Sequence, residues 1–219
     1  MKIGIIGAGN IGGTLTRRLS ALGHQVSVAN SREPETLADL AAETGATATT
    51  PEDAANGAEL VIVTIPQKNV PELPAGLLDR TAPGAPIVDT GNYYPKERDG
   101  RIDAIEEGLP ESRWVEQQLG RSVIKAFNNI QAQHLLELGR PEGADGRIAL
   151  PVAGDDADAK QTVMQLVDEL GFDAVDTGGL DESWRQQPGT PGYIADLGAD
   201  ALRQAIADAN PERTSDFRA

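Results

Sequence analysis

No cysteine occurs anywhere in the 219 residues, which excludes a disulfide framework, a thiolate nucleophile and a thiolate metal site. That absence fits the reducing cytoplasm, where the protein is expected to reside. Basic residues are few, 19 Lys and Arg against 34 Asp and Glu, for a net charge of -15. Phosphate backbones and anionic membranes are bound by clustered Lys and Arg, so neither a nucleic-acid nor a membrane partner is expected. Long apolar runs are missing too. The longest, around Leu60 to Ile65, falls far short of the roughly 20 residues that span a bilayer as a helix. No basic and apolar leader opens the chain, so secretion is not expected. Neither H-E-x-x-H, G-x-S-x-G nor a cluster of metal ligands appears, which leaves hydrolytic and metal-dependent chemistry unsupported.

What is present is alternation. Short runs rich in β-branched residues recur at Lys2 to Ile6, Gln25 to Ala29, Leu60 to Ile65, Pro86 to Asp89, Ser122 to Phe127, Ile148 to Ala153 and Asp173 to Asp176. They read as strands buried on both faces. Helical stripes fall between them, Ile11, Leu15, Leu19 and Leu22 in one case, Val163, Leu166, Val167 and Leu170 in another. The pattern predicts an α/β fold, a Rossmann-type doubly wound and mostly parallel sheet with helices on both faces. Residues 1–179 are assigned to an NADP-binding domain and 180–219 to a small C-terminal appendage that closes the acceptor site. Helical spacing runs from Ala195 to Ala209, and the tail after 210 is expected to fray. The polar stretch Asp89 to Glu111 reads as a functional loop or a partly helical excursion.

The first strand runs directly into Gly7-Ala8-Gly9-Asn10-Ile11-Gly12, a G-x-G-x-x-G fingerprint in its required strand-turn-helix context. Gly7 permits the tight turn, Gly9 the close approach of a pyrophosphate, and Gly12 the packing of helix on strand. The helix N-terminus then offers its free amides to the phosphates. An NAD site places Asp or Glu about 20 residues further on, whereas this chain has Ala29-Asn30-Ser31-Arg32. A serine hydroxyl and an arginine fork donate to a 2′-phosphate that a carboxylate would repel. NADP is favoured over NAD. Ser31 also suits the N-cap of the following helix, with Pro34 in its first turn, and the two roles are compatible.

Ligands of such sheets bind outside the carboxyl ends of the strands. Thr64 to Gln67, Asp89 to Asn92 and Phe127 to Asn129 should therefore face the cofactor. His24 sits at the opposite edge and reads as structural, while His134 reads as an exposed helical residue. Candidate proton donors are Lys125, Tyr93, Tyr94, Tyr193 and Asp89, none with a diagnostic spacing, so no catalytic side chain is assigned.

Several segments together resemble the NADP oxidoreductases dependent on coenzyme F-420, a deazaflavin, whose reductase-like domain also occurs in ferric reductases of the Steap type. The likeness rests on Gly7 to Gly12, Ala29 to Arg32, Val63-Thr64-Ile65-Pro66, Val123 to Asn128, Val152 to Asp156 and Asp176 to Leu180. It implies hydride exchange between NADPH and a deazaflavin, a grip on the 2′-phosphate by Ser31 and Arg32, Pro66 beside the nicotinamide, and a homodimer. The chain departs from the archaeal members in carrying Asn128 where they have histidine, and Gln131 in place of a proline.

The nucleotide site is thus assigned to Gly7, Ala8, Gly9, Asn10, Ile11, Gly12, Asn30, Ser31, Arg32, Ile65, Pro66, Asn92 and Asn128. The acceptor is coenzyme F-420, FMN or a similar flavin. Reduction of a small carbonyl or imine, and a non-catalytic NADP-binding sensor or subunit, are the alternatives. β-Hydroxyacid dehydrogenases and pyrroline carboxylate reductases share the glycine fingerprint but need a long helical domain for which too few residues remain.

Overall fold

Ile3 and Ile5 of the opening strand belong to one apolar cluster and Ile6 to another on the opposite face, so this strand needs a covering layer on both sides. The computed structural model describes residues 1–219 and supplies both layers. In chain order the elements are β1 (Lys2–Ile6), α1 (Asn10–Ala21), β2 (Gln25–Ala29), α2 (Ala38–Thr44), β3 (Thr47–Ala48), α3 (Pro51–Ala55), β4 (Leu60–Val63) and β5 (Ile87–Asp89). They continue with α4 (Asp103–Glu106), α5 (Glu111–Leu119), β6 (Ile124–Lys125), α6 (Ala132–Glu137), β7 (Ala149–Val152), α7 (Ala157–Glu169), β8 (Asp173–Asp176) and α8 (Ala199–Ala207).

Six strands form one parallel sheet in the order β3-β2-β1-β4-β5-β6, the doubly wound arrangement whose strand order reverses beside β1 and opens a crevice there. Ile6 at the end of β1 pairs with Ala29 of β2 and Val63 of β4. The glycine turn and the two neighbouring loops therefore emerge at one edge. One core cluster lies under α1 and α7, where Leu15, Leu19, Val163, Leu166 and Val167 are buried. The other lies under α5 and the 89–105 segment, with Tyr93, Ile105, Trp114 and Val115. No helix is long and apolar enough to cross a membrane.

Several expectations need correction. β7 and β8 do not extend the main sheet as further parallel strands; they form a separate two-stranded sheet joined to β6 by one antiparallel bridge between Lys125 and Ala153. β4 ends at Val63 rather than Ile65. β6 stops at Lys125 rather than Phe127, because Phe127 takes a left-handed backbone with φ of 62° that no strand accommodates. Leu22 falls past the end of α1 and is exposed. α8 starts at Ala199, not Ala195, because Ile194 and Asp196 have φ of 47° and 49°. β3 carries no legible signal in the sequence, being two small residues long. Ser31 caps no helix: the turn Pro34–Leu37 is preceded by Glu33.

The tail after 210, expected to fray, makes contacts with the rest of the chain. Arg213 donates to the fully buried Glu111 at 2.6 Å, and Lys96 donates to the carbonyl of Ser215 at 2.8 Å. Phe217 packs on Tyr94 with ring centroids 6.1 Å apart. The last residues thus clasp the loop between β5 and α5.

Candidate active site

The three glycines do three different things. A Cβ on Gly7, which sits at φ of 111°, would run into the backbone of Thr64, and one on Gly12 would run into the carbonyl of Gly7. Both positions are closed by the protein itself. A Cβ on Gly9 would meet no atom of the chain within 4 Å, so the space over Gly9 is left for a ligand. α1 begins there without a side-chain cap, and the backbone amides of Asn10, Ile11 and Gly12 find no acceptor in the chain. Free donors at a helix N-terminus, fronted by room that only glycine leaves, fit a pyrophosphate.

Beyond β2, Asn30 shapes the loop rather than the ligand. Its Oδ1 accepts from the amide of Arg32 at 2.8 Å and its Nδ2 donates to Thr36 at 3.0 Å. Ser31 and Arg32 are left exposed at the rim of a cavity of about 540 Å³ that also touches Gly7, Ala8, Gly9 and Pro66. A second cavity of about 560 Å³ shares Gly9, Thr64, Ile65 and Pro66 with the first and continues past Asn10 and Ile11 to Asn92, Asn128 and Tyr193. Twelve of the thirteen expected nucleotide residues line one or the other; Gly12 lies beneath the turn as a packing residue. A cleft of similar size at the opposite edge of the sheet is lined by His24, Gln25 and Lys2. It lacks a helix N-terminus, and His24 there faces Glu169 at 3.1 Å.

The loop residues predicted to face the cofactor divide. Thr64, Ile65, Pro66, Thr90, Gly91, Asn92, Phe127 and Asn128 line the crevice, whereas Gln67, Asp89 and Asn129 turn inward and are buried. Asn128 is mainly an anchor. It donates to the carbonyl of Gln186 at 2.7 Å, accepts from the side chain of Gln186 at 3.0 Å, and donates to Asn92 at 3.1 Å. Ile194 donates its amide to the carbonyl of Asn129 at 2.9 Å. These bonds hold the segment after Gly179 over the crevice, which brings Tyr193 and Ile194 into its wall.

Of the five candidate proton donors, three are locked inside. Lys125 is fully buried, donating to Asp89 at 3.0 Å and to the carbonyl of Gly91. Asp89 also accepts from Ser112 at 2.7 Å and from the Gly91 amide at 2.8 Å. Tyr93 is fully buried and accepts from the amide of Ile102, and burial pushes its phenol up. Tyr94 and Tyr193 remain, hydroxyl to hydroxyl across the crevice. Desolvation and then the neighbouring Tyr94 raise the Tyr193 phenol well above its ordinary value. Arg98, which no sequence pattern marks, lies 5.1 Å from the Tyr94 ring centroid and pairs with the buried carboxylate of Asp99 at 2.9 Å. His134 faces Asp196 at 2.6 Å, outside the crevice.

A family model described as "NADP oxidoreductase coenzyme F420-dependent" matches residues 2–93. The F420-dependent NADP reductase of Methanothermobacter thermautotrophicus is 29% identical over 199 residues, covering 84% of this chain and 83% of its own length. Residues 2–93 thus resemble that family, and the likeness over the rest of the chain rests on the 29% identity to this reductase. Among solved structures, the hypothetical protein SMa0349 from Sinorhizobium meliloti superposes with a TM-score of 0.75 at 29% identity, covering 90% of this chain and 95% of that one. Protein YjhV of Escherichia coli K12 is 51% identical over 66 residues, 30% of this chain. The chain spans less than half the length of the first curated relatives it matches.

Proposed function

We propose that this chain is an NADP-dependent oxidoreductase that transfers a hydride between NADPH and a deazaflavin or flavin-like acceptor. The observation that carries the reading is the continuity of the groove. It runs from Ser31 and Arg32, past the free amides behind Gly9, over Pro66, and on to a wall built by Tyr94 and Tyr193. Arg32 would hold the 2′-phosphate, the amides of Asn10 and Ile11 the pyrophosphate, and Ile65 and Pro66 one face of the nicotinamide. Bound NADPH supplies the hydride. What the chain supplies first is position, since both reacting rings carry the hydride chemistry themselves.

Charge supports the acceptor half. In a chain of net charge -15, the crevice beyond Pro66 is lined by no carboxylate and by one cation, Arg98. Such a wall suits an electron-poor ring that gains negative charge on reduction. Anaerobic mixing with NADPH and oxidised deazaflavin, with FMN in parallel and NADH as the control, tests the assignment by absorbance. NADPH-specific reduction of either acceptor is the expected result. Tight NADPH binding with neither acceptor reduced would refute the assigned chemistry and leave a reductase of another small molecule or an NADP-binding sensor.

A further inference from the structure

Only three ionisable side chains line the crevice beyond the nucleotide turn: Tyr94, Arg98 and Tyr193. A guanidinium does not give up its proton in a protein, which leaves the two phenols. They come from segments 99 residues apart and meet hydroxyl to hydroxyl. The Asn92 amide also lies 3.5 Å from the Tyr193 oxygen. Asn92 is a donor there, because its own Oδ1 is already taken by Asn128. Either hydroxyl can donate within the pair; in the arrangement in which Tyr94 donates, the Tyr193 oxygen accepts from both Asn92 and Tyr94, and its own proton faces no acceptor of the chain.

We propose that Tyr193 donates this proton to the hydride acceptor, with Tyr94 as its resupply. The proposal rests on the reading of the groove as a hydride-transfer site, and it narrows the acceptor to a planar conjugated compound bearing a ring nitrogen, imine or carbonyl that gains a proton. As the C–H bond of the nicotinamide breaks and its hydride bonds to the acceptor, Tyr193 passes its O–H proton to the acceptor's heteroatom. Tyr94 then passes its proton to the Tyr193 oxygen, and solvent reprotonates the half-buried Tyr94. One hydride and one solvent proton are consumed, and the acceptor is reduced by two electrons.

The surroundings fit each step. Burial holds the Tyr193 phenol protonated at rest, so the proton is present when the acceptor arrives. Arg98 lies beside the Tyr94 ring and favours the negative charge left behind after transfer. Phe217 and the turn Pro95–Asp99 brace Tyr94, while the Ile194 amide bonded to Asn129 fixes Tyr193. The pair is assembled by the tail and the appendage together, so an acceptor entering the crevice meets a preformed donor.

The test is anaerobic single-turnover reduction of oxidised deazaflavin, FMN and a cyclic imine by NADPH-loaded protein, in H2O and D2O. It compares the wild type with Tyr193→Phe, Tyr94→Phe and the double variant. For any acceptor the wild type reduces, Tyr193→Phe should slow reduction about 100-fold, as expected for loss of a positioned acid. NADPH affinity should stay within about twofold, since the phenol does not touch the nucleotide in this account. The solvent isotope effect should disappear in Tyr193→Phe and in the double variant.

Undiminished reduction by Tyr193→Phe, or a rate loss matched by lost NADPH affinity, overturns the proposal. Deazaflavin reduction that is indifferent to Tyr193 keeps the functional reading and removes this proton donor. Reduction of the imine alone, with dependence on Tyr193, keeps the donor and removes the deazaflavin reading. If the wild type neither binds nor reduces any of the three, both fall.

Discussion

Replacing Arg213 with Met strands a carboxylate in the core, and the size of the effect follows from the surroundings of Glu111. That side chain is fully buried, with Arg213 2.6 Å away and the Tyr93 amide donating at 3.1 Å. Arg213 also lies 5.3 Å from the Tyr93 ring centroid and reaches Gln187 at 3.0 Å. Removing one partner of a buried ion pair costs about 3–5 kcal/mol, because the other charge is left without compensation. For a chain of this length, each kcal/mol moves the melting midpoint by about 2–4 °C, so at neutral pH Arg213→Met should melt roughly 6–20 °C below the wild type. Desolvation already pushes the Glu111 carboxyl above its ordinary value, while Arg213 pulls it back. A raised folded-state pKa is stabilising at low pH, and that contribution is lost as pH rises through it. Without Arg213 the carboxyl rises further, so the penalty should shrink as pH falls toward the carboxylate range. The double variant Glu111→Gln with Arg213→Met should recover most of the loss at neutral pH. Thermal melts of the three proteins between pH 5 and 8 decide the matter. A midpoint for Arg213→Met within 2 °C of the wild type, or a gap that does not depend on pH, would refute the buried clasp.

Three further outcomes follow from the nucleotide half. Arg32→Ala removes an exposed, charge-assisted contact worth about 1.5 kcal/mol, so calorimetry should show NADPH affinity falling about tenfold with NADH unchanged; equal losses would refute the role of Arg32. Gly9→Val should fold with an unaltered melting midpoint yet lose NADPH binding, whereas Gly12→Val should be unstable, because only the first faces open space. Equal destabilisation of both would contradict the division of labour among the glycines. The family resemblance predicts a homodimer, and sedimentation showing only monomer at micromolar concentration would exclude it.

The sequence made the nucleotide half legible because its constraints are local. Gly7, Gly9 and Gly12 act within one turn, and Arg32 is read from its place just past a strand. The acceptor half depends on contacts across the chain. Tyr193 reaches the crevice because Asn128 and Asn129 hold residues 186 and 194, contacts spanning more than 50 residues, and no periodicity encodes that. Arg98 escaped notice since a lone arginine in a polar loop has no pattern, and its position depends on the π-helical turn Pro95–Asp99. Lys125 and Asp89 looked chemical from their types alone; burial of both converts them into a structural pair. The contacts of the tail were illegible for a similar reason. Its composition is that of a frayed end, and the partners of Arg213, the buried Glu111 102 residues earlier in the chain and Gln187, are brought to it by the fold.

Direct transfer across one groove is the centre of this account, and isotopic labelling tests it most closely. NADPH deuterated at the transferring position of nicotinamide C4 would be mixed anaerobically with the protein and oxidised deazaflavin or FMN, and both products analysed at once by mass spectrometry and absorbance. The account predicts oxidation of NADPH in step with reduction of the acceptor, and deuterium on the newly formed C–H bond of the reduced deazaflavin. Reduced deazaflavin without the label, or NADPH left intact beside either acceptor, would contradict it.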